Sequence, residues 1–173
     1  MTPVGAMPHT WKEALYTEGI FNKMGYDVKK YLDDYSIDNP PDPLEFINSS
    51  FIAYYGHAWT DGGGYNFNTY SLESDKIWLN SPLVFMEGCG SCAFEFAQPK
   101  SKLFCANLLR RGVMFQFAAT VDASGSNLYV PDLIGELFDS NLGDAVKSLR
   151  NRVAMRELNR YEPYSVLVGD PLY

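Results

Sequence analysis

The sequence has few of the residues on which histidine, thiol and metal chemistry depend. Its 173 residues include two histidines, His9 and His57, and three cysteines, Cys89, Cys92 and Cys105. An odd number of cysteines cannot form a closed disulfide framework, and the spacing does not match a structural zinc site with four ligands. Any histidine-dependent mechanism must therefore use one of two residues.

Long apolar runs and clusters of positive charge are also missing. Apolar runs such as those at 83–86 and 113–115 are much shorter than the roughly 18 to 20 residues that a membrane-spanning helix needs. We therefore expect no membrane-spanning segment. The 14 Lys and Arg residues are outnumbered by 21 Asp and Glu, which gives a net charge of −7. Because nucleic-acid binding depends on neutralising phosphates, we also expect no nucleic-acid partner.

The apolar content suits one folded domain across residues 1–173. The chain is 46% hydrophobic and 15% aromatic, which excludes disorder for most of its length and allows a sizeable core. Short apolar strands alternate with helices, a pattern typical of a mostly parallel sheet covered on both faces. We predict an α/β domain with strands at 26–32, 51–55, 82–87, 113–118 and 165–168, helices at 10–24, 102–111, 131–138 and 142–159, and a glycine-rich mobile loop at 60–68.

Two predicted strands end in residues that can do chemistry together. The strand at 51–55 leads to His57, and the strand at 82–87 leads to Cys89. Ligands gather at the carboxyl ends of strands in an open α/β sheet, so neighbouring strands would place these residues across one crevice. A thiol becomes a good nucleophile beside a base, and imidazole takes up protons near neutral pH. We predict a Cys89–His57 dyad, with the N–H groups of Ala58 and Cys89 as an oxyanion hole.

Other interpretations of these residues stay open. In one of them, His57 is an ordinary hydrogen-bonded loop residue and Cys89 is a small hydrophobic residue of the core. In another, Cys89 and Cys92 form a Cys-x-x-Cys redox motif of the thioredoxin type. We expect His9 and Cys105 to be structural and the remaining aromatic residues to belong to the core.

Several segments carry a resemblance to a known family: YGHAW at 55–59, PLVFMEGCGSCAF at 82–94, the helix and strand at 103–119, NLGDAVK at 141–147 and LVGDP at 167–171. In this order they resemble the gingipain-type cysteine peptidases. The resemblance implies a caspase-like three-layer sandwich and a cysteine endopeptidase, with Cys89 as nucleophile and His57 as catalytic histidine. It implies a protein or peptide substrate, and neither a metal nor an organic cofactor.

The resemblance also bears on localisation and on the ends of the chain. Members of this family are often exported, so it implies an extracytoplasmic or secreted protein. Their sheet has a strand ahead of the helix that we predict at 10–24, and we expect this chain to begin after that strand. We accordingly expect an excised part of a longer protein.

Glu87 is the candidate for substrate specificity. It stands two residues before Cys89, so strand alternation points both side chains to one face. We hypothesise that Glu87 lines the specificity pocket and favours Arg or Lys at the cleaved position; the alternative is a solvated carboxylate at a strand end. Thr120 and Asp122, after the next strand, are further substrate-binding candidates. The function that competes with a peptidase is a catalytically inactive caspase-like module for binding or adhesion on a surface protein.

Overall fold

Six strands form one sheet in the part of the chain that the structure describes, and helices cover both of its faces. The structure is a computed structural model, and it describes residues 2–5, 11–32, 43–63, 67–74, 77–80, 82–96, 99, 103–119, 129–141, 143–148, 151 and 165–169. The strands are β1 (Thr2–Gly5), β2 (Tyr31–Leu32), β3 (Phe51–Tyr55), β4 (Ala58–Trp59), β5 (Gly62–Gly63), β6 (Leu83–Glu87), β7 (Phe115–Ala119) and β8 (Ser165–Gly169). The helices are α1 (Trp11–Lys23), α2 (Thr69–Ser74), α3 (Phe104–Arg110) and α4 (Tyr129–Leu137), with a 3-10 helix at Pro43–Phe46 and a further helical segment at 143–148.

The strand order places β3 and β6 side by side in the middle of the sheet. That order is β2-β1-β3-β6-β7-β8. Every neighbouring pair is parallel except β7 with β8, which is antiparallel. Parallel strands at the centre of a sheet are covered on both faces, which is why the sequences of β3 and β6 are nearly continuous apolar runs.

Side chains of β3 alternate between two hydrophobic clusters, one on each face of the sheet. Ile52 and Tyr54 pack with buried residues of α2 and α3, whereas Ala53 and Tyr55 pack with those of α1 and α4. A 2.6 Å hydrogen bond joins the hydroxyl groups of Tyr55 and Thr17, and so ties β3 to α1. These layers confirm the predicted α/β class. Among the described residues, no helix has the length and apolar character that crossing a membrane requires.

The edge of the sheet near β1 differs from the prediction. The sequence predicts no strand ahead of the first helix, yet β1 lies there and pairs in parallel with β3. The strand predicted at 26–32 is reduced to β2, where Tyr31 and Leu32 pair with Val4 and Gly5 of β1. Short strands of this kind carry too little hydrophobic pattern to be recognised, and they depend on their neighbours for stability.

The described part of the glycine-rich segment forms strand pairing where the sequence predicts a mobile loop. Within 60–68, β5 pairs with β4 in an antiparallel hairpin. A Cβ on Gly63 would lie 2.5 Å from the Tyr54 ring, so packing leaves no room for a side chain there. Residues 64–66 fall outside the described residues, as does most of the helix predicted at 142–159, which the structure describes at 143–148 and 151.

Candidate active site

The loops that carry His57 and Cys89 follow two neighbouring parallel strands. The register of β3 and β6 pairs residues that are 32 positions apart in sequence, from Phe51 with Leu83 to Tyr55 with Glu87. His57 stands two residues beyond Tyr55, and Cys89 stands two residues beyond Glu87, so they keep the same offset. Both loops therefore leave the carboxyl edge of the sheet side by side, where α/β proteins bind their ligands.

Gly88 brings these two loops into backbone contact. A Cβ on Gly88 would lie 2.5 Å from the Ala58 Cβ and 2.9 Å from the Gly56 carbonyl oxygen. Real carbon atoms in contact are about 3.5 to 4.0 Å apart, so only glycine permits this approach. The residues that flank His57 thus pack directly on the residue that precedes Cys89.

A buried tyrosine fixes the backbone on the histidine side. The Tyr54 hydroxyl donates a hydrogen bond to the carbonyl oxygen of His57, while the Tyr54 ring is fully buried and packs against β5. The His57 side chain is exposed at the surface. The core of the sheet therefore holds the main chain at His57 and leaves its imidazole accessible.

Cys89 lies in a compact turn and keeps its thiol. Its side chain is partly exposed, and the following residue, Gly90, has a φ of +56°, in the left-handed region that favours glycine. The hydroxyl of the fully buried Ser91 donates a 3.4 Å hydrogen bond to the Gly88 carbonyl oxygen. A main-chain bond from Ala93 to the Gly90 carbonyl, 3.0 Å long, closes the turn.

A disulfide anchors this turn to the neighbouring helix. Cys92 is bonded to Cys105 near the start of α3, and both residues are buried. The redox interpretation of Cys89 with Cys92 is therefore wrong for this structure, because the partner of Cys92 is Cys105. Cys105 is structural, as predicted, but three cysteines allow three pairings and nothing in their spacing selects this one.

For the other predicted site residues, the structure gives main-chain positions, or the residues lie outside the described part of the chain. The Ala58 amide nitrogen would lie 3.4 Å from a Cβ on Gly88, so this N–H lies beside the Cys89 loop. Glu87 is the last residue of β6 and pairs with Tyr55 through its main chain. Thr120, Asp122 and His9 lie outside the described residues.

Exposed aromatic rings beside this site are the feature that the sequence prediction missed. Trp59 and Phe96 are 47% and 57% exposed, and Phe94 is exposed as well. The prediction assigned such rings to the core, because aromatic residues are usually buried and the sequence does not show which face of a loop they occupy. Among the described residues, no group of three or more His, Cys, Asp and Glu side chains could hold a metal ion.

Comparisons with known proteins bear on the fold. No family model matches the chain, and no curated protein matches it in sequence. Among solved structures the chain is similar to separase in the Saccharomyces cerevisiae separase–securin complex, with a TM-score of 0.61 and 18% identity. The match covers 97% of this chain, which spans 11% of the length of the separase chain. Separase has the caspase-like fold, and the chain is accordingly a caspase-like α/β domain.

Proposed function

We propose that this domain is a cysteine peptidase in which Cys89 is the nucleophile and His57 is its base. The observation that carries the proposal is the contact at Gly88, where the loop that bears His57 packs on the loop that bears Cys89. The fold shared with separase, a cysteine protease, also supports it. The resemblance to gingipain-type peptidases remains part of this proposal.

The reaction follows from the chemistry of a thiol beside an imidazole. The Cys89 sulfur attacks the peptide carbonyl carbon, and its proton passes to His57. The carbon–nitrogen bond then breaks as His57 gives that proton to the leaving amine, which leaves a thioester on Cys89. Water adds to the thioester with His57 as base, and the acid and the thiol are released. The N–H groups of Ala58 and Cys89 hold the oxygen on which negative charge develops.

A thiol-reactive peptide electrophile tests this proposal. Because Cys92 and Cys105 form a disulfide, labelling without reductant reports on Cys89 among the three cysteines. We expect saturable modification of Cys89, detected by peptide mass spectrometry, and its loss in His57→Ala. His9→Ala removes the other histidine of the sequence and serves as the matched control. Unsaturable labelling that does not depend on His57 would refute the peptidase and would favour the inactive binding module.

Cleavage after basic residues is a finer part of the proposal, and it assigns the specificity to Glu87 at the end of β6. A carboxylate near the cleaved bond would pair with the cation of Arg or Lys. Thr120 and Asp122 are retained as further substrate-binding candidates. We expect Glu87→Gln to reduce the preference for Arg over an uncharged side chain of similar length. Glu95→Gln, in the exposed loop after Cys92, is the control, and unchanged preference in Glu87→Gln would exclude this role.

We further propose that the domain works outside the cytoplasm. The Cys92–Cys105 disulfide supports this localisation, because disulfides persist in oxidising compartments and are rare in the cytosol. Mass spectrometry of the protein isolated from its native source, with thiols blocked at lysis, tests it. Finding Cys92 and Cys105 reduced there would count against an extracytoplasmic location.

A further inference from the structure

Two exposed aromatic rings lie directly beside the loop that bears Cys89. A Cβ on Gly90 would lie 3.1 Å from the Cε3 and Cζ3 atoms of Trp59, so the indole covers the residue that follows Cys89. The Trp59 ring stacks on Phe96, with centroids 6.2 Å apart and planes inclined by 20°. Both rings remain about half exposed.

Backbone hydrogen bonds and a disulfide fix the main chain that carries these two rings. Trp59 belongs to β4, whose pairing with β5 fixes its backbone. The amide of Phe96 donates to the Ala93 carbonyl, and Ala93 in turn donates to Gly90. The disulfide at Cys92 anchors the same turn to α3. A preformed apolar surface loses little conformational entropy on binding, which favours its use as a binding site.

The position of the rings selects what they would bind. Consecutive Cα atoms are about 3.8 Å apart, so the Trp59 ring lies only one residue away from Cys89. An extended peptide advances roughly 3.3 Å per residue. When the carbonyl carbon of the bond to be cleaved lies at the Cys89 sulfur, the side chain of a peptide residue next to that bond therefore reaches the rings. Stacked aromatic faces bind apolar and especially aromatic side chains, by burial and by ring packing.

We infer that Trp59 and Phe96 form a subsite for a large apolar side chain, preferably aromatic, within two residues of the bond to be cleaved. This inference rests on the proposed peptidase function and names a substrate feature of the same site. It is independent of Glu87, which the proposal assigns to the cleaved residue itself. The protein would then select peptides that combine a basic residue with an apolar neighbour.

A series of peptide electrophiles that differ in one side chain tests the subsite. The two positions before and the two positions after the reactive residue are varied one at a time, each with Phe, Leu, Ala or Gly. The second-order rate constant for labelling of Cys89 is measured for each peptide. We expect one position to favour Phe over Gly by roughly tenfold, in the range of discrimination that an apolar pocket provides. Phe96→Ala should bring this ratio close to one.

Further variants separate the subsite from damage to the fold. Trp59→Phe keeps an aromatic ring over Gly90 and should retain part of the ratio, whereas Trp59→Ala should lose it. Trp78→Ala is the matched control, because Trp78 is 65% exposed but precedes β6, away from the Cys89 loop. Thermal melts of each variant identify any that are unfolded.

The outcomes distinguish the two proposals. Labelling of Cys89 without a preference for Phe, or with a preference that Phe96→Ala and Trp59→Ala leave intact, refutes the subsite and leaves the peptidase. Failure of every peptide to label Cys89 in the wild-type protein refutes the peptidase, and the subsite with it.

Discussion

The contact between the two site loops predicts that Gly88→Ala damages both stability and reactivity. The added Cβ would lie 2.5 Å from the Ala58 Cβ, about 1 Å closer than ordinary carbon contacts, and 2.9 Å from the Gly56 carbonyl oxygen. Neither neighbour is the end of a flexible side chain, so the loops must separate. Overpacking of this kind typically costs about 1 to 3 kcal/mol.

The expected losses are measurable by two independent assays. Urea denaturation should show a free energy of unfolding lower by about 2 kcal/mol, and the melting temperature should fall by roughly 4 to 8 °C for a domain of this size. Labelling of Cys89 by a peptide electrophile should slow by roughly 100-fold, since a misplacement of about 1 Å is enough for such a loss.

Two further variants make this prediction specific to the loop contact. Ala58→Gly removes the nearest atom, so it should restore part of the stability in the Gly88→Ala background, with a coupling energy above about 0.5 kcal/mol. Gly135→Ala in α4 is the control, because nothing lies within 4 Å of a Cβ there; it should stabilise the protein by up to about 1 kcal/mol. Unchanged stability and labelling in Gly88→Ala, or strictly additive effects with Ala58→Gly, would refute the close packing of the loops.

Two other predictions concern the elements around the site. Replacing Cys92 and Cys105 together by Ala opens a loop between residues 13 apart in sequence and should lower the free energy of unfolding by about 3 kcal/mol through the entropy of the unfolded chain; urea curves that coincide with the wild type would contradict this. Thr17→Val removes the hydrogen bond between α1 and Tyr55 and should lower the free energy of unfolding by about 1 kcal/mol. The same change should have a smaller effect in a Tyr55→Phe background, and equal effects in both backgrounds would argue against the bond.

Much of the fold follows from local sequence. The apolar runs that became β3 and β6 predict buried strands, since a strand covered on both faces needs apolar residues at nearly every position. The glycines that end them predict sharp changes of direction, so the positions of His57 and Cys89 at strand ends are already visible in the sequence. By contrast, β1 and β2 carry almost no pattern, and their existence depends on pairing with a neighbour.

The sequence by itself thus determined the α/β class, the two central strands and the two residues proposed for catalysis. Only the tertiary structure decided that β3 and β6 are neighbours whose paired residues are 32 positions apart in sequence. It also decided that Cys92 pairs with Cys105 and that Trp59 and Phe96 stay exposed. The physical reason is the separation in sequence between the residues that make each kind of contact. Strand and helix patterns arise from contacts between residues close in sequence, whereas strand partners, disulfide partners and burial are set by distant residues that meet only when the chain has folded.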